Sequence, residues 1–417
     1  KPQYRQNCKV NSVDNILVIS DFLNTLGAQN LAKIYPNQSQ PEQEYNSLGQ
    51  KLVDLSLIYS FKYTADMKLE KVINQLKSLG YFEYVEPWYV PKFHILPCTA
   101  NDPLQGLQYH LQGDVTGSIN VENTAWCLSN GSPSVVIGIT DTGIELNHPD
   151  LQANIVNPLP PGCDVGMNDN DPTWQGDPHG VHVSGCASAV TNNNNQVASP
   201  GWSCKLLPVK IADASGALIA AYTGITFAAN NGAKIINCSW GGGGGGSYGQ
   251  SIIDYATINR NCLVVAAAGN GGANQQVYPS SYNNVYRVAS SDMSDTKSGT
   301  SDYGNDVDYA APGSSILATY SGGGTATLSG TSMASPVSAG AAGLVQSVFN
   351  YTNAFQIGEK LKQTCDPMPS SPQYNAGTLG NGRIDVNNAL TQAAKSIMAN
   401  PITITDGNDA VFMPNET

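Results

Sequence analysis

Residues 330–336 read Gly-Thr-Ser-Met-Ala-Ser-Pro, and this stretch decides how the rest of the chain is interpreted. It ends a loop rich in Gly and Ser, residues 320–330, and precedes a run of small residues, 337–348, that predicts a buried helix. Ser332 is therefore expected at a helix N-terminus, where free N–H groups and the helix dipole favour negative charge. That environment suits a nucleophilic serine, whose attack on a carbonyl group creates an oxyanion. Taken alone, the stretch is more typical of a serine that caps a packed helix.

Two stretches upstream supply groups that can activate a serine. Residues 135–143 (Val-Val-Ile-Gly-Ile-Thr-Asp-Thr-Gly) predict a buried strand that ends in Asp141 and a turn. Residues 179–185 (His-Gly-Val-His-Val-Ser-Gly) follow a loop of Asp, Asn and Gly and begin a helix of small residues with His179. The chain order Asp, His, Ser is one of the orders known for a catalytic triad assembled from distant positions.

A fourth stretch, residues 264–270 (Val-Val-Ala-Ala-Ala-Gly-Asn), predicts another buried strand that ends near the side-chain amide of Asn270. Together the four stretches resemble the motifs of the subtilase family, the subtilisin-like serine proteases, over roughly residues 101–394. The resemblance implies three catalytic roles: nucleophile for Ser332, general base for His179 and orienting carboxylate for Asp141. It also implies that Asn270 and the N–H of the serine donate to the oxyanion.

From residue 135 onward, buried strands alternate with helices, which argues for a parallel sheet covered on both faces. Strands are predicted at 135–140, 206–211, 233–239, 263–268 and 285–289, and helices from 179, over 217–230 and from 332. The resemblance implies the same α/β fold, a subtilisin-like three-layer parallel sheet with helices on both faces, preceded by a small α+β ferredoxin-like prodomain. Ligands of such sheets bind at the carboxyl ends of the strands, where Asp141, Ser239 and Asn270 lie.

The N-terminal residues 1–97 differ in pattern and predict a small α+β domain of their own. Strands are expected at 15–20 and 55–63, a helix at 68–79 that Gly80 stops, and an extended segment at 81–90. Residues 84–87 (Tyr-Val-Glu-Pro) resemble the end of subtilase propeptides, which inhibit their own enzymes. The resemblance implies a self-inhibited zymogen, processed between residues 93 and 100, with a catalytic domain over 98–395 and a tail or linker over 396–417.

The composition excludes some classes of partner. The chain has 417 residues and a net charge of −12, and only 12% of its residues are charged. An acidic chain without basic runs is a poor candidate for binding nucleic acid or anionic membranes, and no apolar stretch approaches the ~18 residues of a membrane span. We expect a monomer that acts on protein or peptide substrates and uses no organic cofactor.

Nine cysteines favour an oxidising compartment, so we expect a secreted protein whose first residue, Lys1, is a processed start. Their pairing does not follow from the sequence, and the odd number leaves at least one thiol unpaired within the chain. Cys186, Cys238 and Cys262 lie inside apolar runs, and the alternative for them is a small buried side chain.

Two short segments, Ser239-Trp240-Gly241 and Ala267-Ala268-Gly269, are expected to line the substrate cleft. In subtilases the matching segments wall the S1 and S4 pockets, and exposed backbone pairs with an extended substrate. No carboxylate occurs in these walls, so we expect a broad endopeptidase that favours apolar or aromatic P1 residues. One alternative is a kexin-like processing protease, which needs acidic walls. The other is a pseudoprotease that serves as a binding module, although such proteins usually lose the Ser, His or Asn that this chain keeps.

Two sets of oxygen-bearing residues resemble calcium sites of the family, since Ca²⁺ takes about 6–8 oxygen ligands. In the first set, alternate side chains of one loop can converge on a cation, and the predicted ligands are Asp164, Asp169, Asp171, Thr173 and Gln175. The alternative for this loop is a solvated series of Asx turns. The second set comprises Asp102, Asp150 and Asn192, with carbonyl groups of residues 193–197. We therefore expect one or two structural calcium ions.

Overall fold

The computed structural model describes residues 17–391 with the exception of 57, 83 and 87–96. Contacts between residues divide the chain into two compact units, Lys1–His94 and Ile95–Thr417. We call them the N-terminal unit and the larger unit. The domain limits predicted from the sequence remain predictions, because both predicted boundaries fall in or next to segments outside the described residues.

The described part of the N-terminal unit contains two helices and an antiparallel pair of strands. Their bounds are α1 (Leu17–Thr25), β1 (Gln29–Lys33), β2 (Tyr59–Lys62) and α2 (Leu69–Ser78). The prediction of a strand at 15–20 is wrong in its described part, which belongs to α1. Ile19, Leu23 and Leu26 are buried at the helical spacing of four and three residues, a period that outweighs the β-branched character of the run.

The other predictions for this unit have mixed outcomes. The strand predicted within 55–63 and the helix predicted at 68–79 are confirmed in shortened form as β2 and α2. Gly80 follows α2 with φ +71°, a left-handed conformation that glycine adopts without strain. The extended segment predicted at 81–90 is not a strand where it is described, at 81, 82 and 84–86, and its remainder lies outside the described residues.

A parallel sheet forms the centre of the larger unit. Its strands are β3 (Val136–Asp141), β4 (Lys205–Lys210), β5 (Ile235–Cys238), β6 (Leu263–Ala267), β7 (Val285–Ser291) and β8 (Tyr309–Pro312). They lie in the order β4-β3-β5-β6-β7-β8, and each adjacent pair is parallel. The first five strands confirm the sequence predictions, whereas the short strand β8 has no counterpart among them.

The α-helices of this unit whose ends both lie in the described residues are α3 (His179–Ser188), α4 (Ala221–Asn230), α5 (Ser247–Asp254), α6 (Thr331–Phe349), α7 (Phe355–Gln363) and α8 (Pro372–Asn375). Residues 386–391 are also helical. Helices α3 and α6 share one hydrophobic core with one face of the sheet, and α4 and α5 share another core with the opposite face. This arrangement confirms the predicted three-layer α/β fold. None of the helices in the described part of the chain combines the length and apolar character needed to cross a membrane.

Burial on both faces explains why the strands read as continuous apolar runs. In β6, Leu263 and Val265 belong to the core that contains α3 and α6, whereas Val264 and Ala266 belong to the core beneath α4 and α5. Because successive side chains of a strand point to opposite faces, a strand buried on both sides is apolar at every position.

Helix α6 is buried from Met333 to Gln346, and its small residues let neighbouring elements approach closely. A Cβ at Gly340 would lie 2.3 Å from the carbonyl oxygen of Ala187 in α3, a distance that no side chain tolerates. The helix ends at Asn350, which adopts a left-handed conformation (φ 47°) and donates its N–H to Gln346 O. The run of small residues is therefore a consequence of close helix packing.

The loop predicted at 320–330 is partly a strand. Residues Gly324–Leu328 (β10) pair antiparallel with Ile316–Tyr320 (β9), and Gly322 and Gly323 form the turn with positive φ angles. The prediction of a loop is wrong here because it rested on the serines and glycines at 321–323 and 329–330, which flank the strand residues 325–328. Pairing with β9 supplies the hydrogen bonds that decide the conformation.

Candidate active site

The carboxyl ends of three adjacent strands carry the predicted site residues. Asp141 is the last residue of β3, Ser239 follows β5, and Ala268 follows β6. Strands β3, β5 and β6 are neighbours in the sheet. Parallel neighbours end at the same edge, so the fold brings together segments that are up to about 130 residues apart in the chain.

Asp141 and His179 form a hydrogen-bonded pair. Asp141 Oδ1 lies 2.7 Å from His179 Nδ1 and also accepts the N–H of Thr142 at 2.8 Å. Gly180 allows helix α3 to approach the turn after β3, because a Cβ at that position would lie 2.2 Å from the carbonyl oxygen of Gly143. The carboxylate side chain is buried and the imidazole side chain is 26% exposed, so solvent reaches the histidine and not the aspartate.

The pKa of His179 is raised above the ordinary histidine value. Burial alone disfavours the imidazolium and lowers this pKa, but the charge and hydrogen bond of Asp141 outweigh burial, with a smaller contribution from Asp177. Asp141 therefore stabilises the protonated ring, which is the property needed of a base that must hold a proton during a reaction.

Ser332 is the second residue of α6, and a reciprocal pair of hydrogen bonds ties it to the end of β5. Pro336 has no N–H to donate to the carbonyl of Ser332 four residues earlier, a loss that costs about 3 kcal/mol in a helix interior. Ser239 Oγ donates to that carbonyl at 2.8 Å instead. In return, Ser332 Oγ donates to Ser239 O at 3.1 Å. The exchange holds the serine at the edge of the sheet.

Within the described residues, Ser332 Oγ makes no hydrogen bond to His179. Helices α3 and α6 pack against each other with these two residues at or next to their first turns. Hydrogen bonds between a nucleophile and its base are often long in a free enzyme and tighten when substrate binds. The structure thus joins Asp141 to His179 directly, and it holds Ser332 through Ser239.

Asn270 is oriented by the residue that precedes the serine. Its side-chain oxygen accepts hydrogen bonds from the N–H of Thr331 at 2.9 Å and from Thr331 Oγ1 at 3.0 Å. With the oxygen occupied, the amide nitrogen is the group left to donate to a ligand. Gly330, which precedes Thr331, has φ 152°, a backbone conformation that residues with a side chain rarely adopt. Thr331 is a site residue that sequence reasoning missed, although it lies beside Ser332.

The predicted cleft segments lie at the ends of β5 and β6, and Val277 lies between them. A Cβ at Gly241 would be 2.6 Å from one methyl group of Val277, and a Cβ at Gly269 would be 2.8 Å from the other. Val277 therefore packs against both of the predicted cleft segments, 239–241 and 267–269. Sequence reasoning did not identify this valine, because it belongs to a different loop.

The segment around Trp240 makes hydrogen bonds and a ring contact with other parts of the larger unit. Gly242 and Tyr278 exchange two backbone hydrogen bonds of 2.9 Å, and the Tyr278–Pro279 peptide bond that follows is cis. Trp240 donates its indole N–H to Thr140 O at 3.0 Å, and its ring meets Tyr222 of α4 edge to face at 5.7 Å. The indole therefore packs between the sheet and α4.

The loop of the first predicted calcium set is held by its own hydrogen bonds. Asp169 Oδ1 accepts the N–H of Asp171 at 2.8 Å, and Asp171 Oδ1 accepts the N–H of Thr173 at 3.0 Å. These contacts are the Asx turns of the alternative interpretation. Asp164 is buried and pairs with the ammonium of Lys210 at 2.8 Å, so a lysine already neutralises the predicted upstream ligand. The side chain of Gln175 is exposed.

The second predicted set is more compact. Asp102 accepts the N–H groups of Asn192 and Asn193 at 2.7 and 3.1 Å. Asp150 accepts the side-chain amide of Asn193 at 2.8 Å and the N–H of Val197 at 2.9 Å. Burial raises the pKa of Asp150 to about 6. Neither carboxylate has a lysine or arginine partner among the described residues, and no cluster of three or more His, Cys, Asp or Glu side chains suited to a metal occurs there.

One disulfide, Cys98–Cys127, is present among the described residues. Cys186, Cys238 and Cys262 are unpaired and buried, which confirms the alternative that they are small core side chains. Burial raises the pKa of the Cys186 and Cys238 thiols, so both stay protonated and unreactive.

A parallel sheet that presents an Asp–His pair, a serine at a helix N-terminus and an oriented amide defines a hydrolase of the serine type. The sequence model of the subtilase family matches residues 132–396, and the chain belongs to this family. It is a serine endopeptidase, a subtilisin-type protease.

Its relatives support the same family. Thermitase from Thermoactinomyces vulgaris is 42% identical over 268 residues, which make up 64% of this chain and 91% of the relative. A thermophilic serine proteinase from Bacillus sp. (strain AK1) is 36% identical over 326 residues, 78% of this chain and 76% of the relative. Among solved structures, a protease from Pseudoalteromonas arctica is 30% identical with a TM-score of 0.64, and the match covers 71% of this chain and 99% of that one.

The raised pKa of His179 leads to a prediction on pH dependence. Only the neutral ring can accept a proton, so kcat/KM should fall as pH decreases through a pKa above the ordinary ~6.5 of histidine. In Asp141→Asn the remaining burial lowers that pKa, so the acid limb should move to lower pH, and kcat should fall by about 10⁴. The measurement is kcat/KM for a peptide anilide across pH 5–10.

The control is Asp177→Asn, which removes a weaker charge and should shift the acid limb in the same direction by less. If the acid limb lies at the same pH in both variants and in the native enzyme, the fall in kcat/KM is caused by the protonation of a group other than His179.

Proposed function

We propose that the chain cleaves peptide bonds of proteins with Ser332 as nucleophile, His179 as general base and Asp141 as the carboxylate that orients the ring. The observation that carries the proposal is the 2.7 Å contact between Asp141 Oδ1 and His179 Nδ1. It directs His179 Nε2 away from the carboxylate, as a nitrogen that must accept a proton from a serine requires.

The chemistry follows from these positions. Ser332 Oγ rotates from the carbonyl of Ser239 toward His179 Nε2, transfers its proton and attacks the carbonyl carbon of the substrate. Asn270 Nδ2 and the N–H of Ser332 donate to the oxygen that becomes negative. The imidazolium, stabilised by Asp141, then protonates the leaving amine. A water molecule deprotonated by the same ring hydrolyses the acyl-enzyme and restores the serine.

In this proposal the specificity is broad, with a preference for apolar or aromatic P1 residues. The segments 239–241 and 267–269 carry no ionisable side chain, so an uncharged P1 residue is favoured between them. Val277 limits its size, because its two methyl groups pack against both segments. A kexin-like preference for basic residues would need carboxylates that these walls do not have.

Residues 1–97 act, in this proposal, as a propeptide that inhibits the enzyme until the chain is cut between 93 and 100. The support is the resemblance of residues 84–87 to the end of subtilase propeptides and the separate compact unit that this part of the chain forms. The protein is also proposed to act outside the cell. The support is the Cys98–Cys127 disulfide, since such bonds persist in oxidising compartments.

Structural calcium is proposed at the second set of predicted ligands. Asp102 and Asp150 are buried hard-oxygen donors without a cationic partner among the described residues, and Asn192 lies beside them. Calcium would supply the missing positive charge and would tie the segment around residue 102 to the loop 192–197. The first set fits less well, because Lys210 already neutralises Asp164.

Replacing the proposed nucleophile tests the enzyme and the zymogen together. Ser332→Ala should fold, lose labelling by a serine-reactive fluorophosphonate, lose about 10⁶ in kcat and remain uncut between residues 93 and 100. Ser329→Ala, at an exposed serine three residues away, is the matched control and should fold, be labelled, keep its kcat and be cut as the native chain is. Labelling, hydrolysis and intact mass are measured on the full chain. If the native chain itself is not labelled after its N-terminal unit is removed, the pseudoprotease alternative replaces the proposal.

The role of Val277 can be tested with a P1 peptide library. Val277→Gly should raise kcat/KM for Phe at P1 relative to Ala at P1 by about tenfold or more, because hydrophobic pockets discriminate by roughly 1–3 kcal/mol for small changes in volume. Val115→Gly, an exposed valine of the same unit, should leave this ratio unchanged. A strong preference of the native enzyme for Arg or Lys would instead support the kexin-like alternative.

Calcium binding predicts a metal-dependent melting temperature. In the Ser332→Ala background, which removes autolysis, EDTA should lower Tm by roughly 10 °C relative to millimolar calcium, as expected for a ligand at about 1,000 times its Kd. Asp150→Asn should abolish most of this difference, whereas Asp171→Asn, in the first set, should retain it. Equal Tm values with EDTA and calcium, and no metal by elemental analysis, would contradict the proposal.

A further inference from the structure

A buried carboxylate outside the proposed triad contacts the loop that carries Asn270. We define this loop, residues 268–275, as the oxyanion loop. Asp302 follows β7 and is fully buried. Its Oδ1 accepts the N–H of Ala273 at 2.9 Å, its Oδ2 accepts the side-chain amide of Gln275 at 2.9 Å, and its own N–H donates to Gly269 O at 2.8 Å. One residue thus makes three hydrogen bonds to the loop.

The segment around Asp302 runs alongside the oxyanion loop. Gly272 donates its N–H to Thr300 O at 2.8 Å, and Tyr303 donates its N–H to Ala273 O at 3.0 Å. The carboxylate also abuts the backbone on both sides of Asn270. A Cβ at Gly269 would lie 2.2 Å from one carboxylate oxygen of Asp302, and a Cβ at Gly271 would lie 3.0 Å from the other. Glycine on each side of the amide leaves space for this contact.

A buried arginine holds both ends of the same loop. Arg287 of β7 is fully buried, and its Nη2 donates to Ala268 O at 3.0 Å and to Gln275 O at 2.7 Å. Its Nη1 pairs with the carboxylate of Asp306. A guanidinium group has the planar fork of donors that two carbonyl groups at different points of a loop require.

We propose that Asp302 and Arg287 are positioning residues that hold the oxyanion loop so that the amide of Asn270 meets the transition state. The inference rests on the proposed function of Asn270. Thr331 fixes the oxygen of that amide and also accepts the N–H of Gly269. Asp302 makes three hydrogen bonds to the loop and Arg287 makes two. The position of the Asn270 backbone therefore depends on these two residues as well. A shift of about 1 Å in such a group costs on the order of 10²-fold in rate.

The oxyanion forms only in the transition state, so a displaced Asn270 lowers kcat more than it raises KM. Asp302→Ala removes the contacts of the carboxylate with Ala273 and Gln275, and we expect kcat to fall about 10- to 100-fold with KM changed less than threefold. Asp302→Asn keeps an acceptor for Ala273, and the amide of Gln275 can turn to match it. The Asp302→Asn variant should therefore keep kcat within about threefold of the native value.

A double-mutant cycle with Asn270→Ala tests whether Asp302 acts through Asn270. All variants are full chains, activated by the same trace of native enzyme. Asn270→Ala alone should lower kcat by about 10²–10³. Adding Asp302→Ala to it should lower kcat by less than threefold further, because the group that Asp302 positions is already gone. Binding of a peptide boronate, whose tetrahedral adduct occupies the oxyanion site, should weaken in parallel with kcat.

The matched control is Asp385→Ala, which removes another buried carboxylate of the larger unit. Asp385 contacts Asn120 and Asn388 and makes no contact with the oxyanion loop. It should lower Tm and leave kcat unchanged. If Asp302→Ala does not fold, Asp302→Ser, which keeps one acceptor, takes its place in the cycle.

Two results would overturn different statements. If Asp302→Ala lowers kcat by the same factor with and without Asn270, or if it lowers only Tm, Asp302 is structural and the positioning role is wrong. If Asn270→Ala itself leaves kcat unchanged, the proposed oxyanion role of Asn270 fails first.

Discussion

The close packing of α6 against the sheet and α3 is the constraint on which the rest of the larger unit depends. Gly340 allows the backbone of α3 within a distance that any Cβ would prevent. This packing brings the first turn of α6 to the carboxyl edge of the sheet, where β3 and β5 end. Because Pro336 has no N–H, the carbonyl of Ser332 lacks its helical hydrogen bond and accepts the hydroxyl of Ser239 instead. The position of the Ser332 hydroxyl therefore depends on the burial of α6, on the geometry of its first turn and on the N–H that Pro336 lacks.

In the candidate site, burial and a neighbouring charge have opposite effects on the pKa of His179. Burial disfavours a charged imidazole at His179, yet Asp141 raises its pKa, so the carboxylate outweighs the loss of solvent. Asn270 shows the same principle for a neutral group, because Thr331 occupies its oxygen and leaves its nitrogen to donate. Groups that stabilise a transition state are most effective when the protein fixes them before the reaction begins.

Buried carboxylates in this protein find three kinds of partner. Asp164 has a lysine, Asp302 has N–H groups of a loop, and Asp102 and Asp150 have N–H groups and no cation among the described residues. An isolated buried carboxylate is costly unless it is hydrogen-bonded or paired. The three cases therefore differ: a neutralised ion pair in the core, a loop tied by hydrogen bonds, and a pair of carboxylates that only N–H groups satisfy.

Much of the fold could be predicted from the sequence, because the signals are local. The continuous apolar runs of β3 to β7 identify strands buried on both faces, and the motifs around Asp141, His179, Asn270 and Ser332 identify the family. Local signals failed where pairing decides the structure. Strand β10, which follows the glycine turn 322–323, forms because β9 supplies its hydrogen bonds. In α1 two local signals competed, and the helical spacing of its apolar residues outweighed their β-branched character.

Some features of the candidate site could likewise be predicted from the sequence, and others could not. The sequence by itself determined which side chains have the chemistry of a nucleophile, a base and an oxyanion donor. Only the tertiary structure decided that Lys210 neutralises Asp164, that Val277 packs against both Gly241 and Gly269, and that Asp302 is hydrogen-bonded to the loop 268–275. Lys210 and Asp164 are 46 positions apart and Asp302 and Gln275 are 27 apart, so no local pattern encodes these pairs and the fold alone sets the distance between them.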